Sequence, residues 1–229
     1  MSDSPSISVI IPVLNEEANI ECAVSSAFEI ADQLIVVDGG SSDLTLEMLA
    51  TLNCEVVHGP KGRGQQLFAG AEKASGDILL FLHADTLLPA EARQQILGYW
   101  NSLSNEGREF FYGCFHQRIE SRSPVFRLIE KGNYWRAKFQ KLPYGDQGIF
   151  VSRNLYDRVG GMPKISLMED LEFARRVSAL ARPKILPGPV SVDARRWDKV
   201  GPIRQTIRNW TLASRYRMGA CPEILKKRY

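Results

Sequence analysis

Residues 6–14, SISVIIPVL, form a continuous apolar run rich in β-branched side chains, the pattern of a strand buried on both faces. The period then changes. In NEEANIECAVSSAF, residues 15–28, Ile20, Ala23, Val24 and Ala27 recur at helical spacing. Asn15 is placed to cap that helix, and Glu16 and Glu17 suit the positive end of its dipole. The alternation continues with QLIVVD (33–38) as strand, GGSSD (39–43) as turn and LTLEMLATL (44–52) as helix. CEVVHG (54–59) reads as a third strand and KGRG (61–64) as a loop. QQLFAGAEKA (65–74) is a helix with Leu67, Gly70 and Ala71 on one face, and DILLFLH (77–83) a fourth strand. Four strand–helix repeats predict a parallel sheet with right-handed crossovers. Ligands of such sheets bind beyond the carboxyl ends of the strands.

The second half has a different texture, richer in aromatics, Arg and Pro. FYGCFHQRI (111–119) reads as a strand, PVFRLIEKGNYWRAKF (124–139) as an amphipathic helix, and YGDQGIFVS (144–152) as a turn and strand. NLYDRVGGMP (154–163) is a short helix closed by glycine, and EDLEFARRVSAL (169–180) a helix opened by acids. No internal repeat or long linker interrupts the chain, so one continuous α/β unit is expected over residues 1–229.

Composition narrows the class. With 229 residues, 44% hydrophobic and 24% charged, the chain is long enough for a real core and is neither disordered nor collagenous. Cys22, Cys54, Cys114 and Cys221 form no C-x-x-C pair, so no zinc or redox module is indicated and reduced thiols in the cytoplasm are expected. No apolar run reaches the roughly 18 residues of a membrane span. The net charge of +3 hides a skew: residues 1–60 contain no Lys or Arg, while residues 201–229 carry seven against the single acid Glu223. A basic helical C-terminus of that kind suits a phosphate or an anionic membrane surface, and equally a merely solvated face.

The strand ends collect chemistry. The first leads into Pro12, Asn15, Glu16 and Glu17; the second ends at Asp38, Gly39 and Gly40; the third at His58, before Lys61 and Arg63; the fourth at His83 and Asp85. Along one sheet edge they offer acids for a ribose or base, glycines for close backbone approach, cations for phosphate and a carboxylate for a hard metal. Asp146 and Gln147 precede a strand and could line an acceptor pocket, although a turn aspartate explains them as well.

In their order and spacing, SVIIPVLNEE, IVVDGGSSDLT, KGRGQQLFAGAEKASGDILLFLHAD, GGM and EDLEF resemble the family-2 glycosyltransferases, over residues 6 to about 218. The likeness is strongest to a compact bacterial subgroup with HAD where most members carry Asp-X-Asp. It implies a GT-A fold: a mainly parallel, Rossmann-like sheet flanked by helices, with a smaller mixed half on the acceptor side. Residues 5–100 would bind the nucleotide sugar, 101–200 the acceptor, and 201–229 would add the basic helical segment. The resemblance implies that Pro12, Asn15 and Glu17 cradle the nucleobase and ribose, that Asp38 accepts from a base N–H, and that Arg63 contacts the nucleotide. Asp85 would reach a Mg²⁺ or Mn²⁺ ion, and Glu169 and Asp170 would supply the catalytic base. Arg195, Arg196 and Trp197 lie near the Q-x-x-R-W position of processive relatives, with Arg196 and Trp197 expected at the nucleotide. Residue 193 is Asp and the Gln is absent, which argues against polymerisation.

The expected reaction is inverting transfer from a nucleotide-diphosphate sugar, UDP-linked in the first instance, to an acceptor hydroxyl that could be lipid-linked. Asp170 would act as base and the metal would sit at Asp85. His83 has three readings: direct ligand, partner that orients Asp85 or the diphosphate, or structural residue. The second is preferred because a hard cation prefers oxygen. No nucleic-acid partner is expected; an oligomer, and peripheral contact with the inner face of a membrane through the basic C-terminus, are allowed. Two other classes compete. A nucleotidyltransferase would carry its glycine–basic loop after the first strand, where PVLNEE stands instead, and an inactive nucleotide-binding module would bind UDP without turnover.

Overall fold

The run at residues 6–14 becomes the central strand. In the computed structural model, which describes residues 4–194, 197 and 200–226, β1 (Ile7–Val13) is buried along its whole length. Its side chains alternate as the pleat requires: Ile7, Val9, Ile11 and Val13 enter one core and Ile10 the other. Parallel strands β2 (Gln33–Asp38) and β4 (Ile78–Phe81) flank it, and β3 (Glu55–His58) adds to β2. The helices α1 (Ile20–Phe28), α2 (Thr45–Leu49) and α3 (Arg63–Lys73) make the crossovers.

Four more strands extend the sheet: β5 (Thr86–Leu87), β6 (Tyr112–Glu120), β7 (Ile149–Ser152) and β8 (Lys184–Asp193). The order is β3-β2-β1-β4-β7-β6-β8-β5. β7 runs antiparallel to both β4 and β6, so direction reverses where the two halves join. The helices of this half are α4 (Ala92–Asn101), α5 (Asn105–Glu109), α6 (Pro124–Trp135), α7 (Arg153–Arg158) and α8 (Glu169–Ser178). The C-terminal segment folds as α9 (Pro202–Arg217) and α10 (Pro222–Lys226). Sheet and helices thus match the α/β architecture expected of the sequence, and α9 realises its helical C-terminus.

Three details position the strand ends. α3 lies close on the sheet because Gly70 faces Ile10 and Val37, where a Cβ would come 2.5 Å from the Ile10 Cγ2. The expected helix from residue 15 begins only at Ile20. Asn15 does not cap it: the residue sits in the left-handed region (φ 56°), and its Oδ1 accepts from the Ser42 amide at 2.8 Å. The side chain serves the neighbouring loop, so it is unavailable to its own helix. α9 packs Leu212 and Ala213 inward, against Leu167 and Leu142 respectively, and Tyr216 donates to Glu172 of α8 at 3.1 Å. Ile203, Ile207 and Trp210 of α9 stay exposed. No helix among the described residues is long and apolar enough to cross a membrane.

Candidate active site

At the carboxyl ends of β1 and β4, and beside the start of α3, lies a cleft of about 550 Å³. Its floor contains Pro12, Leu14 and Glu16 from the end of β1 and the loop beyond it. Lys61, Gly62 and Arg63 come from the start of α3, and His83, Ala84 and Asp85 from the turn after β4. Gln205 and Arg208 of α9 and Lys226 of α10 close the far side. Gln66 fixes the mouth: its Nε2 donates to the carbonyls of Val13 (2.7 Å) and Val37 (2.8 Å), tying together the ends of β1 and β2. Its amide lies where Gly39 leaves room, since a Cβ there would come 2.9 Å from the Gln66 Nε2. No side chain caps α3, whose N-cap is Gly62 with φ 139°.

A second chamber of about 100 Å³ adjoins the first and shares Arg63, His83 and Leu167 with it. Tyr144, Asp146, Met168, Asp170 and Asn209 complete its walls. The boundary is drawn by EDLEF. Met168 takes the left-handed conformation (φ 66°), an uncommon one for a side-chain-bearing residue, and α8 starts immediately after it. Its first two residues then part company: Glu169 lines the larger cleft and Asp170 the smaller chamber.

Glu169 is buried and pairs with the Arg63 Nε. Burial pushes its carboxyl above the usual range, the Arg63 charge offsets this in part, and neighbouring Asp170 adds to the rise. Gly64 makes the pairing geometry feasible, because a side chain there would collide with the backbone of Pro163 and with Glu169 itself. Asp170 is held differently. Its Oδ2 accepts from the Gly145 amide (2.9 Å) and its Oδ1 from the Leu171 amide (2.7 Å). Each carboxylate oxygen retains a second lone pair for a hydroxyl.

Behind the chamber runs a chain of buried amides. The Gln117 Nε2 donates to the Asp146 Oδ2 (2.8 Å), the Asn133 Nδ2 to the Gln117 Oε1 (2.7 Å), and the Arg136 Nη1 to the Asn133 Oδ1 (2.8 Å). Arg136 also donates to the Leu142 carbonyl and the Gln147 Oε1, with its guanidinium 3.3 Å from the Tyr144 ring centroid. Burial raises the Asp146 carboxyl pKa; Arg136 and Gln117 pull it down, and Asp170 and Asp85 push it up.

The structure gathers most of the residues singled out in the sequence. Pro12, Arg63, His83, Asp85 and Glu169 line the cleft, and His83 and Arg63 are shared with the chamber that holds Asp170. Asn15 and Glu17 lie on the rim: the Glu17 Oε2 accepts from the Leu44 amide at 3.0 Å, and Glu16 takes the cleft-lining place. Asp38 is buried and accepts from the Gly40 and Ser41 amides of its own turn. Trp197 packs edge-on to Phe126, ring centroids 5.8 Å apart, in a satellite core with Ile119 and Val192. Arg195 and Arg196 lie outside the described residues. Gln66 and Gln205 were not among the residues singled out in the sequence, whereas Arg208 and Lys226 belong to the basic C-terminal run expected to meet an anion. Gln66 carried a usable signal, a polar side chain one turn before Gly70 on the apolar face of its helix.

Among the described residues no cluster of three or more His, Cys, Asp or Glu forms a metal cage. The donor set of Asp85 beside the buried His83 nonetheless fits Mg²⁺, which keeps waters and binds through one or two carboxylates together with substrate phosphates.

A mixed sheet, parallel across β3-β2-β1-β4, with flanking helices and a polar cleft at its strand ends is the GT-A architecture, which the solved structures below share. Residues 8–161 match the model of glycosyl transferase family 2, and the chain belongs to that family. Glucosyl-3-phosphoglycerate synthase of Mycobacterium tuberculosis is 34% identical over 96 residues, 36% of this chain and 30% of its own. Undecaprenyl-phosphate 4-deoxy-4-formamido-L-arabinose transferase of Aeromonas hydrophila is 33% identical over 106 residues, 39% of this chain and 32% of its own. The matches thus span about a third of those relatives' length. Among solved structures, S. aureus TarS 1-349 in complex with UDP-GlcNAc superposes with a TM-score of 0.62 at 16% identity, covering 82% of this chain and 58% of that one. The M. tuberculosis synthase with Mg²⁺ and UDP gives 0.56 at 22%, covering 82% and 70%.

Proposed function

We propose that the chain is an inverting glycosyltransferase that moves a sugar from a UDP-sugar to an acceptor hydroxyl. The observation that carries this reading is the division of Glu169 and Asp170 between two connected chambers. The cleft holds Lys61, Arg63, Arg208 and Lys226, four cations for a diphosphate, against Glu16, Asp85 and Glu169. Family membership and the UDP complexes of the two structural neighbours support UDP as the nucleotide.

The residues divide the work. Gln66 fixes the ends of β1 and β2 where the nucleoside would lie. Arg63, oriented by Glu169, faces the charge that develops on the leaving diphosphate, where preorganised donors act most strongly. A divalent ion held by Asp85, with His83 orienting that carboxylate, would neutralise the same charge as a Lewis acid. Asp170 accepts the proton of the acceptor hydroxyl from the chamber side, opposite the leaving group, so the anomeric centre inverts. Its oxygens stay aimed because the Gly145 and Leu171 amides hold them.

UDP titration with and without Mg²⁺ tests the reading. Wild type should bind UDP more tightly with the ion, and Asp85→Ala should lose that enhancement. Identical curves for both proteins would remove Asp85 from the metal role. A second contact is proposed for the outer face of α9, where Ile203, Ile207 and Trp210 are exposed beside Arg204: peripheral binding to an anionic membrane. Pelleting with phosphatidylglycerol vesicles should fall when Ile207 and Trp210 are both changed to Ser; equal pelleting would refute it.

A further inference from the structure

The small chamber restricts what the acceptor can be. Resting on the glycosyltransferase reading above, we propose that Asp146 is a second acceptor-binding carboxyl and that the chamber takes a neutral polyhydroxyl end, not a phosphate. Asp170 would receive the attacking hydroxyl and Asp146 a neighbouring one.

The geometry supports this in three ways. First, the Asp146 Oδ1 is enclosed yet has no hydrogen-bond partner among the described residues, while Oδ2 is held by Gln117. Buried polar atoms are rarely left so, and Asp146 is one of the residues that line the chamber. Second, the sign of the charge is wrong for an anion. Asp146 and Asp170 line the chamber, and the one cation among its described lining residues, Arg63, is paired with Glu169. Arg136 lies behind the Tyr144 ring, engaged with Asn133, Gln147 and the Leu142 carbonyl. A phosphate oxygen would also need no base, whereas the held carboxylate of Asp170 suits a hydroxyl. Third, at about 100 Å³ the chamber is far smaller than the adjoining cleft of about 550 Å³, so the acceptor inserts an end and leaves the rest outside.

The Gln117–Asn133–Arg136 chain makes Asp146 expensive to build and keeps it in place. Asp146→Asn keeps the acceptor atom that Gln117 needs and removes only the charge and the acceptor capacity of the second oxygen.

Saturation-transfer NMR on the protein loaded with UDP and Mg²⁺ reads the chamber without turnover. The probes are glucose and 3-phosphoglycerate, and UDP affinity is measured first. Glucose should show contact in wild type, weakened tenfold or more in Asp146→Asn, with UDP affinity and melting temperature unchanged. 3-Phosphoglycerate should show none. Contact from 3-phosphoglycerate, absence of glucose contact, or equal glucose contact in the variant would overturn the proposal. A merely structural Asp146 would instead move the melting temperature and UDP affinity together, which also overturns it. Failure of UDP to bind wild type would overturn the donor reading itself, and is seen before either probe is added.

Discussion

The two chambers that meet at Arg63 and His83 are near opposites. The larger is cationic and built from strand ends that the parallel half of the sheet brings into register. The smaller is acidic and is assembled from the 144–147 turn, the start of α8 and one face of α9. On the proposed function, the difference teaches that substrate charge would be sorted before chemistry begins: an anionic leaving group would have cations waiting, and a hydroxyl that must lose a proton would meet carboxylates. Adjacent residues of one helix, Glu169 and Asp170, line the two sides.

The sharpest break in that comparison is Asp170→Asn. Turnover should fall by about 10²–10⁴-fold while UDP affinity stays, because the base is lost and the cation side is untouched. Steady-state rates and a UDP titration measure it; a near-normal rate would remove Asp170 from the base role.

Arg63→Gln acts on the other side and should cost about 3–5 kcal/mol of stability at neutral pH, since it leaves Glu169 buried without its partner. The pH dependence has a definite sign. Burial already raises the folded-state pKa of Glu169 above its unfolded value, so the folded protein holds the proton more tightly. Stability of the variant should therefore rise as pH falls from neutral toward the unfolded value near 4.5, recovering part of the loss. Denaturant unfolding at a series of pH values reads this, and a pH-independent deficit would argue against the pairing.

A smaller effect is expected at the dividing wall. A methyl group on Gly145 would overlap the ring of His83, so Gly145→Ala should force the imidazole aside at about 1–3 kcal/mol. Because Gly145 also holds Asp170 through its amide, turnover should drop more than UDP affinity does. Equal losses in both would mean that His83 belongs wholly to the donor side.

The same contrast explains what the residues announced beforehand. The cation side was largely legible because its strands are continuous apolar runs and its functional groups lie at their ends. The acidic side was legible in EDLEF and in the Asp146–Gln147 pair, which a turn explained equally well. β8 escaped notice because KILPGPVSVD carries Pro187, Gly188 and Pro189 in its middle, and α4 because only Ala92 and Ile96 of its residues are buried. Asp146 could be suspected near an acceptor, but its setting depends on Gln117 from β6 and Asn133 from α6, partners that no local pattern joins. Trp197 shows the reverse failure: a motif-like position whose side chain is used for packing against Phe126.

Asn15 and Glu17 carry one further consequence. Each accepts a backbone amide of the opposite loop, Ser42 and Leu44, so the loops after β1 and β2 form one stitched rim. Ordering a free backbone costs about 1–2 kcal/mol per residue in conformational entropy. Here that ordering is completed when the chain folds. A donor bound at the rim, as the proposed function has it, would therefore give up its own freedom and little of the protein's, with no affinity lost to a loop that must first be frozen.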